Sequence, residues 1–209
     1  SLIPADITTL SPGPANSGIQ LRRGKHAGRL MFAVAGPGDI GVMYSDDHGE
    51  SWVLGGMTKG YDGREPQITE LTDGRILINS RNHSNKPGRL ISISEDGGQS
   101  FESYYDEKLP SKRCEASLLQ CEELRDSSGG TEGQVVFCGP AEGRRRLTVK
   151  LSSDGCANWP DSRLVYGGHS AYSAMARLPD GEVSILYEKD AYRRLSFVRL
   201  SGPSLVGRQ

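Results

Sequence analysis

The sequence has no excess of charge of either sign. Its 209 residues include 25 Lys and Arg and 26 Asp and Glu, which gives a formal net charge of −1. Proteins that hold nucleic acid or acidic membranes through their charge carry a basic excess, so we expect neither as a partner. The longest basic cluster, residues 144–146, is too short for a polybasic tract.

Long hydrophobic runs are also missing. No apolar stretch approaches the roughly 20 residues that a membrane-spanning helix needs, so we expect no membrane span. Residues 1–10 lack the basic-then-apolar pattern of a secretory signal. The chain starts at Ser1 and not at Met, which is compatible with a processed or truncated protein and leaves a removed signal peptide open.

Cysteine is scarce, and metal-site spacing is absent. The four cysteines permit three pairings, but none of their spacings forms a CxxC or another zinc pattern, and the four histidines show no metal spacing either. We expect no metal, and we favour small core thiols over disulfides, which leaves the redox compartment open. The cysteines are Cys114, Cys121, Cys138 and Cys156.

Helical periodicity is essentially absent, whereas one short sequence motif is repeated along the chain. An octapeptide of the pattern S-x-D-x-G-x-x-aromatic occurs at residues 45–52, 94–101 and 152–159, and a repeat of about 50 residues is typical of one sheet-like unit. The pattern predicts a hairpin turn in which Asp accepts hydrogen bonds from turn amides, Gly takes a positive φ and the aromatic packs into the core. We therefore expect Asp47, Asp96 and Asp154 to be structural. In the third copy Cys156 replaces the glycine, which should weaken that turn.

Short β-rich runs precede each octapeptide and recur between the copies. Many short strands of even spacing, separated by Asp-Gly turn signals, favour an all-β β-propeller, whose blades take roughly 40 to 50 residues each. The chain is therefore long enough for about four blades. The predicted strands are 29–35, 40–44, 68–71, 75–79, 89–93, 134–138, 147–151, 172–178, 183–187 and 195–200.

The octapeptide resembles the Asp-box of sialidases, an element that some non-sialidase propellers also carry. The intervening segments extend the resemblance in the family's order and over almost the whole chain. Pro12-Gly13-Pro14 with residues 17–21 is similar to the family's GPGSGIQL segment, and residues 65–82 are similar to its E-x-x-x-x-E-L-x-D-G-x-x-x-x-N-x-R block. Residues 139–149, 172–175 and 186–189 are similar to its NPA…R-x-N-L-T-V, YSxL and LYEK elements. The chain thus resembles exo-α-sialidases of the bacterial and animal lysosomal type.

This resemblance implies a six-bladed propeller, of which residues 1–209 would form about four blades as one partial domain. Two parts of the family pattern have no counterpart in the chain: the N-terminal FRIP segment, with the first arginine of the substrate clamp, and the aspartate that acts as general acid. We therefore expect either a piece of a longer protein or a relic that has lost its function. Taken alone, the chain is expected to be weakly active or inactive.

Sialic acid carries a carboxylate on its anomeric carbon, and guanidinium groups bind carboxylates in planar geometry. The resemblance assigns the second and third arginines of the family's clamp to Arg81 and Arg144. Strand alternation would turn Arg145 to the opposite face, whereas Arg146 would share the face of Arg144 and could replace it if the register were shifted by two.

Sialidases use a tyrosine nucleophile where most glycosidases use a carboxylate. A phenol is neutral until it reacts, so it avoids the repulsion that a carboxylate would meet at a carbon bearing a carboxylate. Because a phenol titrates near pH 10, it needs a partner base. The resemblance assigns the nucleophile to Tyr172 and the base to Glu65. It also assigns Glu188 to the glutamate that orients the first arginine, and it places Gln20 in the lining of the pocket.

The resulting expectation is an exo-α-sialidase that hydrolyses terminal α-linked sialic acid from glycoproteins, oligosaccharides or gangliosides with retention and without a cofactor. Its partner would be a sialylated glycan. The sequence leaves the oligomeric state and the linkage preference open, and the resemblance alone points to a lysosomal or secreted location. A trans-sialidase would use the same residues, and a non-catalytic Asp-box propeller that binds glycan or protein remains the alternative.

Overall fold

The computed structural model describes residues 10, 17–111, 113–121 and 134–205. Pro12-Gly13-Pro14, which contributes to one of the resemblance blocks, lies outside these residues. The chain divides into two compact units, Ser1–Asp106 and Glu107–Gln209. Each unit is built from antiparallel sheets, so the expectation of an all-β chain is confirmed.

The first unit contains two four-stranded sheets in which the strands follow one another in sequence order. Each sheet is a meander, because every strand pairs with the strand that precedes it in the chain. In the first sheet the strands are β1 (Ile19–Gln20), β2 (Leu30–Ala35), β3 (Ile40–Ser45) and β4 (Val53–Met57). In the second sheet they are β5 (Gly63–Glu70), β6 (Ile76–Asn82), β7 (Arg89–Ser94) and β8 (Glu102–Asp106).

The core of the first unit is formed by branched apolar side chains from the central strands of both sheets. These side chains recur at alternate positions, as at Ile40 and Val42 or at Ile76 and Ile78, so that they share one face of the strand. The opposite face of these central strands is buried as well, as at Met43 and Leu77. β-Branched residues suit this position because their stiff side chains pack well on a pleated surface. The buried cluster consists of Leu21, Met31, Ala33, Ile40, Val42, Ile68, Ile76, Ile78 and Leu90.

The described residues of the second unit form six hydrogen-bonded strands, followed by a one-turn helix. The strands are β9 (Ser117–Gln120), β10 (Val135–Glu142), β11 (Arg145–Ser152), β12 (Asp161–Arg177), β13 (Val183–Lys189) and β14 (Arg194–Leu200), followed by α1 (Gly202–Leu205). The 17-residue strand β12 belongs to two ladders. Its residues 161–169 pair with β11, and its residues 170–177 pair with β13. The unit therefore comprises a four-stranded ladder, β9 to β12, and a three-stranded ladder, β12 to β14.

Each Asp-box forms the predicted turn. In the first box Asp47 accepts the Ser51 amide at 2.8 Å and the Ser51 hydroxyl at 2.5 Å, and it also accepts the Ser45 hydroxyl at 2.7 Å. Gly49 has a φ of 93°, and Trp52 packs on Phe32 with ring centroids 5.0 Å apart. The turn therefore has the hydrogen bonds, the left-handed glycine and the packed aromatic ring that the sequence predicts.

The third box keeps this geometry although it lacks the glycine. Cys156 adopts a φ of 69°, a left-handed conformation that is strained for a residue with a Cβ. Its amide still donates to the Ser152 hydroxyl at 3.1 Å, and the Asn158 amide donates to Asp154 at 2.9 Å. All four cysteines are buried, and none of them forms a disulfide bond.

Candidate active site

In the first unit, Glu65 and Arg81 form a largely buried ion pair. One guanidinium nitrogen, Nη1 of Arg81, donates to both carboxylate oxygens of Glu65 at 3.0 Å, and the two side chains are 18% and 14% exposed. The pairing of β5 with β6 shifts register between Arg64 and Gln67, and Glu65 in this irregular stretch has a φ of 43°. A left-handed glutamate is strained, and such strain is concentrated at functional sites. The fold thus holds Glu65 in an unfavourable backbone conformation, with its carboxylate against the Arg81 guanidinium.

In the second unit, Arg144 lies beside Tyr172. Arg144 is in the turn between β10 and β11, and the carbon of its guanidinium is 5.5 Å from the centre of the Tyr172 ring. Tyr172 sits where the pairing of β12 with β13 shifts register, between Ser170 and Ser173. Burial opposes the charge of Arg144, but the neighbouring Cys114, Tyr192 and Tyr172 outweigh it and raise the pKa of Arg144 above its ordinary value. A permanent cation therefore adjoins a half-buried phenol.

Two carboxylates hold the backbone at Tyr172. The amide of Tyr172 donates to Oε2 of Glu188 at 3.1 Å, and the amide of Ser173 donates to Oε2 of Glu115 at 3.0 Å. Glu115 is fully buried. Glu188 therefore accepts a hydrogen bond from the backbone of Tyr172, the candidate nucleophile. Charge-assisted hydrogen bonds of this kind are about twice as strong as neutral ones, so both acids fix the start of this ladder.

Glu115 and Tyr192 are the neighbours that the sequence analysis missed. Glu115 carried a signal, because it is the one charged residue in the run Cys114 to Leu119, and an acid among small and apolar residues is buried only when it has partners. Tyr192 carried no comparable signal, since it lies in a turn between two strands. Its position near Arg144 arises from the fold.

The other candidates have contacts of their own. Gln20, which is exposed, donates from Nε2 to the carbonyl of Gly28 within the β1–β2 hairpin, at 3.2 Å. Arg146 has a φ of 60° and pairs with Glu142 at 3.1 Å, so the Arg144 side chain is the one found beside Tyr172. The simple strand alternation used to compare these arginines does not hold, because Arg144 precedes β11 and a register shift follows Arg145.

The part of the chain that the structure describes contains no group of three or more His, Cys, Asp and Glu side chains arranged to hold a metal ion. Among these same residues no helix is long and apolar enough to cross a membrane. The structure brings the candidate residues together as the Glu65–Arg81 pair in one unit and as Arg144, Tyr172 and Glu188 in the other.

Comparisons with known proteins agree with this picture. A family described as BNR repeat-like domain matches residues 13–185. The sialidase of Micromonospora viridifaciens is 34% identical over 200 residues, which covers 89% of this chain and 31% of that protein. The anhydrosialidase of Macrobdella decora is 29% identical over 217 residues, which covers 85% of this chain and 25% of that protein. The chain thus spans about a third or less of the length of these curated relatives.

Solved structures give the same result for the fold. A Hadza microbial sialidase superimposes with a TM-score of 0.75 at 28% identity, over 90% of this chain and 37% of that one. The intramolecular trans-sialidase from Ruminococcus gnavus has a TM-score of 0.77 at 24% identity, over 92% of this chain and 44% of that one. The chain belongs to the exo-sialidase family with Asp-box repeats, and it provides part, about four blades, of that family's six-bladed β-propeller.

Proposed function

We propose that the protein containing this chain is an exo-α-sialidase, which removes terminal sialic acid from a glycan with retention of configuration. The observation that carries the proposal is the Arg144 guanidinium, 5.5 Å from the ring of the half-buried Tyr172. A structural propeller blade needs neither this cation nor this phenol. Together they provide a carboxylate-binding group and a nucleophile for the one carbon of sialic acid that bears the carboxylate.

The proposed reaction is a double displacement. In the second unit, Arg144 pairs with the substrate carboxylate, and the oxygen of Tyr172 bonds to C2 as a base takes the phenolic proton. The family resemblance assigns that base to Glu65 and a further carboxylate-binding arginine to Arg81. The C2–O bond to the leaving glycan breaks as a general acid protonates the leaving oxygen. The family pattern assigns that acid to an aspartate that has no counterpart in residues 1–209. Water then attacks C2 and gives a proton to the deprotonated acid, the sialyl–tyrosine bond breaks, and the base returns the phenolic proton to Tyr172, so the two inversions give net retention.

The acidic groups have distinct roles in this scheme. The Arg81 guanidinium holds the Glu65 carboxylate in place, which suits a base whose oxygen must be oriented to accept a proton. Glu188, through its hydrogen bond to the Tyr172 amide, is proposed to position the nucleophile as well as to hold the first clamp arginine of the family pattern. Gln20 is proposed only as part of the pocket lining. No metal or organic cofactor enters the reaction.

The proposal is tested with the natural protein that contains this chain and a fluorogenic α-sialoside between pH 4 and 7. We expect Tyr172→Phe to lower kcat by about 10³-fold, because the covalent step is lost. Tyr104→Phe is the matched control, since Tyr104 is an exposed residue of β8 that no step of the proposed reaction uses, and the activity of this variant should be unchanged. Equal activity of the Tyr172→Phe variant and the wild type would refute the assignment.

A second candidate reaction has direct support from one comparison. The relative from Macrobdella decora is an anhydrosialidase, so intramolecular transfer is a candidate for this chain too. NMR spectra of the first product separate the two reactions, because a retaining hydrolase releases the α-anomer of the free sugar, whereas intramolecular transfer releases an anhydro sugar. Binding of sialosides without release of any product would favour the non-catalytic propeller instead.

A further inference from the structure

The turn between β13 and β14 has a strained backbone next to the candidate site. Asp190, Ala191 and Tyr192 have φ values of 53°, 54° and 65°, so three successive residues with a Cβ are left-handed. Left-handed residues of this kind usually occur singly. Such strain persists only where surrounding contacts fix the backbone, and an observed outlier of this kind is a reason to look for a function.

Contacts with β12 fix this turn. The Tyr166 hydroxyl donates to Oδ1 of Asp190 at 2.5 Å, and the Asp190 amide donates to the carbonyl of His169 at 3.1 Å. The Ala191 amide donates to Nδ1 of His169, also at 3.1 Å. Three hydrogen bonds therefore hold the strained turn against the strand that carries Tyr172, 3 residues after His169 in the sequence.

These contacts place the Tyr192 ring beside Arg144, the candidate carboxylate-binding arginine of this unit. The ring packs edge-on against the His169 ring, with centroids 5.0 Å apart and an angle of 78° between the planes. The Arg144 guanidinium is 5.9 Å from the Tyr192 ring and 5.5 Å from the Tyr172 ring. Tyr192 is nevertheless 55% exposed, so the strained turn presents an aromatic surface to solvent instead of burying it.

We propose that Tyr192 is a specificity-determining residue that contacts the leaving-group sugar of the substrate. The inference rests on the proposed function and adds a subsite to it. C2 of a sialoside bears both the carboxylate and the glycosidic oxygen, so a carboxylate held by Arg144 brings the first sugar of the leaving glycan close to the same guanidinium. A pyranose has an apolar face of C–H groups, and an exposed aromatic ring is a suitable partner for it.

A purely supporting role predicts a different behaviour. If Tyr192 only steadied Arg144, its removal would weaken the binding of every sialoside alike, because all of them carry the carboxylate. A contact with the leaving group concerns only substrates in which that group is a sugar. Methyl α-sialoside, whose leaving group is methanol, therefore serves as the matched ligand for 3′-sialyllactose.

The experiment uses saturation-transfer NMR and affinity titration on the natural protein with Tyr172→Phe, which slows turnover by about 10³-fold. We expect saturation of the galactose protons of 3′-sialyllactose, and we expect Tyr192→Ala to remove it while the sialic acid N-acetyl signal remains. The affinity for 3′-sialyllactose should fall about threefold to tenfold, as for the loss of one aromatic contact. The affinity for methyl α-sialoside should stay within about twofold, and Tyr192→Phe, which keeps the ring, should match the parent.

The outcomes separate the two proposals. Equal weakening of both ligands by Tyr192→Ala, or no weakening of either, would overturn the leaving-group contact and leave the sialidase assignment in place. Absence of saturation for both ligands in the parent protein would overturn the proposed function and the subsite with it. The affinity for methyl α-sialoside also reports whether the variant is folded.

Discussion

Replacement of Glu65 by Gln tests whether the Glu65–Arg81 pair stabilises the fold as its geometry indicates. The substitution keeps the size of the side chain and leaves the backbone strain at φ 43° unchanged, so the difference measures the charge alone. Surface ion pairs contribute about 0–1 kcal/mol, whereas breaking a buried pair costs about 3–5 kcal/mol. The Glu65 and Arg81 side chains are 14% and 18% exposed, so this pair lies between the two cases. The amide oxygen of a Gln at position 65 would still accept a hydrogen bond from Arg81.

We therefore expect a loss of about 1–2 kcal/mol in the free energy of unfolding, which corresponds to a decrease of about 2–8 °C in Tm for a chain of this length. Thermal and urea denaturation measure both quantities. Glu182→Gln is the matched control, because its pair with Arg199 at 2.7 Å is exposed, with side chains 32% and 49% accessible. The stability of this variant should be unchanged.

A double-mutant cycle with Arg81→Gln isolates the interaction itself. If the two side chains stabilise each other, the double variant should be more stable than the sum of the single losses predicts, by about 1 kcal/mol or more. Strict additivity of the two losses, or an equal loss in the Glu182→Gln control, would refute the reasoning. The pair would then be positioned by the fold without contributing to its stability.

Two further predictions concern the Asp-box turns. Hydrogen bonds from the Ser51 hydroxyl and amide lower the pKa of Asp47 from 3.8 to about 2, so its contribution to stability is complete above about pH 4 and is lost as the pH falls towards 2. The urea midpoint of Asp47→Asn should thus lie below that of the wild type at pH 6 and converge with it near pH 2. A gap that is independent of pH would contradict this cause. Gly98 has a φ of 91°, and a Cβ there would lie 2.9 Å from Met31, whereas Gly181 has a φ of 84° with open space around it. Gly181→Ala should cost about 1–2 kcal/mol in unfolding free energy and Gly98→Ala about 1–3 kcal/mol more, and equal losses in denaturation would show that the contact with Met31 is relieved.

The strands that the sequence analysis predicted and those it missed differ in their place in the sheets. The strands before each box are central and carry alternating branched residues, so they could be recognised locally. The short strands β1 and β9, which are the first of their ladders, were not predicted, and neither were the strands after each box, β4, β8 and the first half of β12. Each strand after a box is the last of its four-stranded ladder, and the sequences of β4 and β8, Val-Leu-Gly-Gly-Met and Glu-Ser-Tyr-Tyr-Asp, lack a clear apolar alternation. They become strands because a neighbouring strand offers hydrogen bonds, which is a tertiary effect.

The candidate site divides in a similar way. The family resemblance alone pointed to Glu65, Arg81, Arg144, Tyr172 and Glu188, because each lies in a block of matching sequence. The contact of Glu115 with Ser173 joins residues 58 positions apart, and no local pattern encodes such a partner. The register shifts that place Glu65 and Tyr172 in irregular backbone are likewise consequences of pairing between strands.

The division of β12 between two ladders also bears on how this site could evolve. Tyr172 follows directly on the point where the strand leaves one ladder and joins the next. Its location therefore depends on both ladders, which share one buried core, and a substitution in either ladder can displace the phenol without touching it. Selection on such a protein can adjust the position of the proposed nucleophile through distant core residues, in steps much smaller than a change of the tyrosine itself would allow.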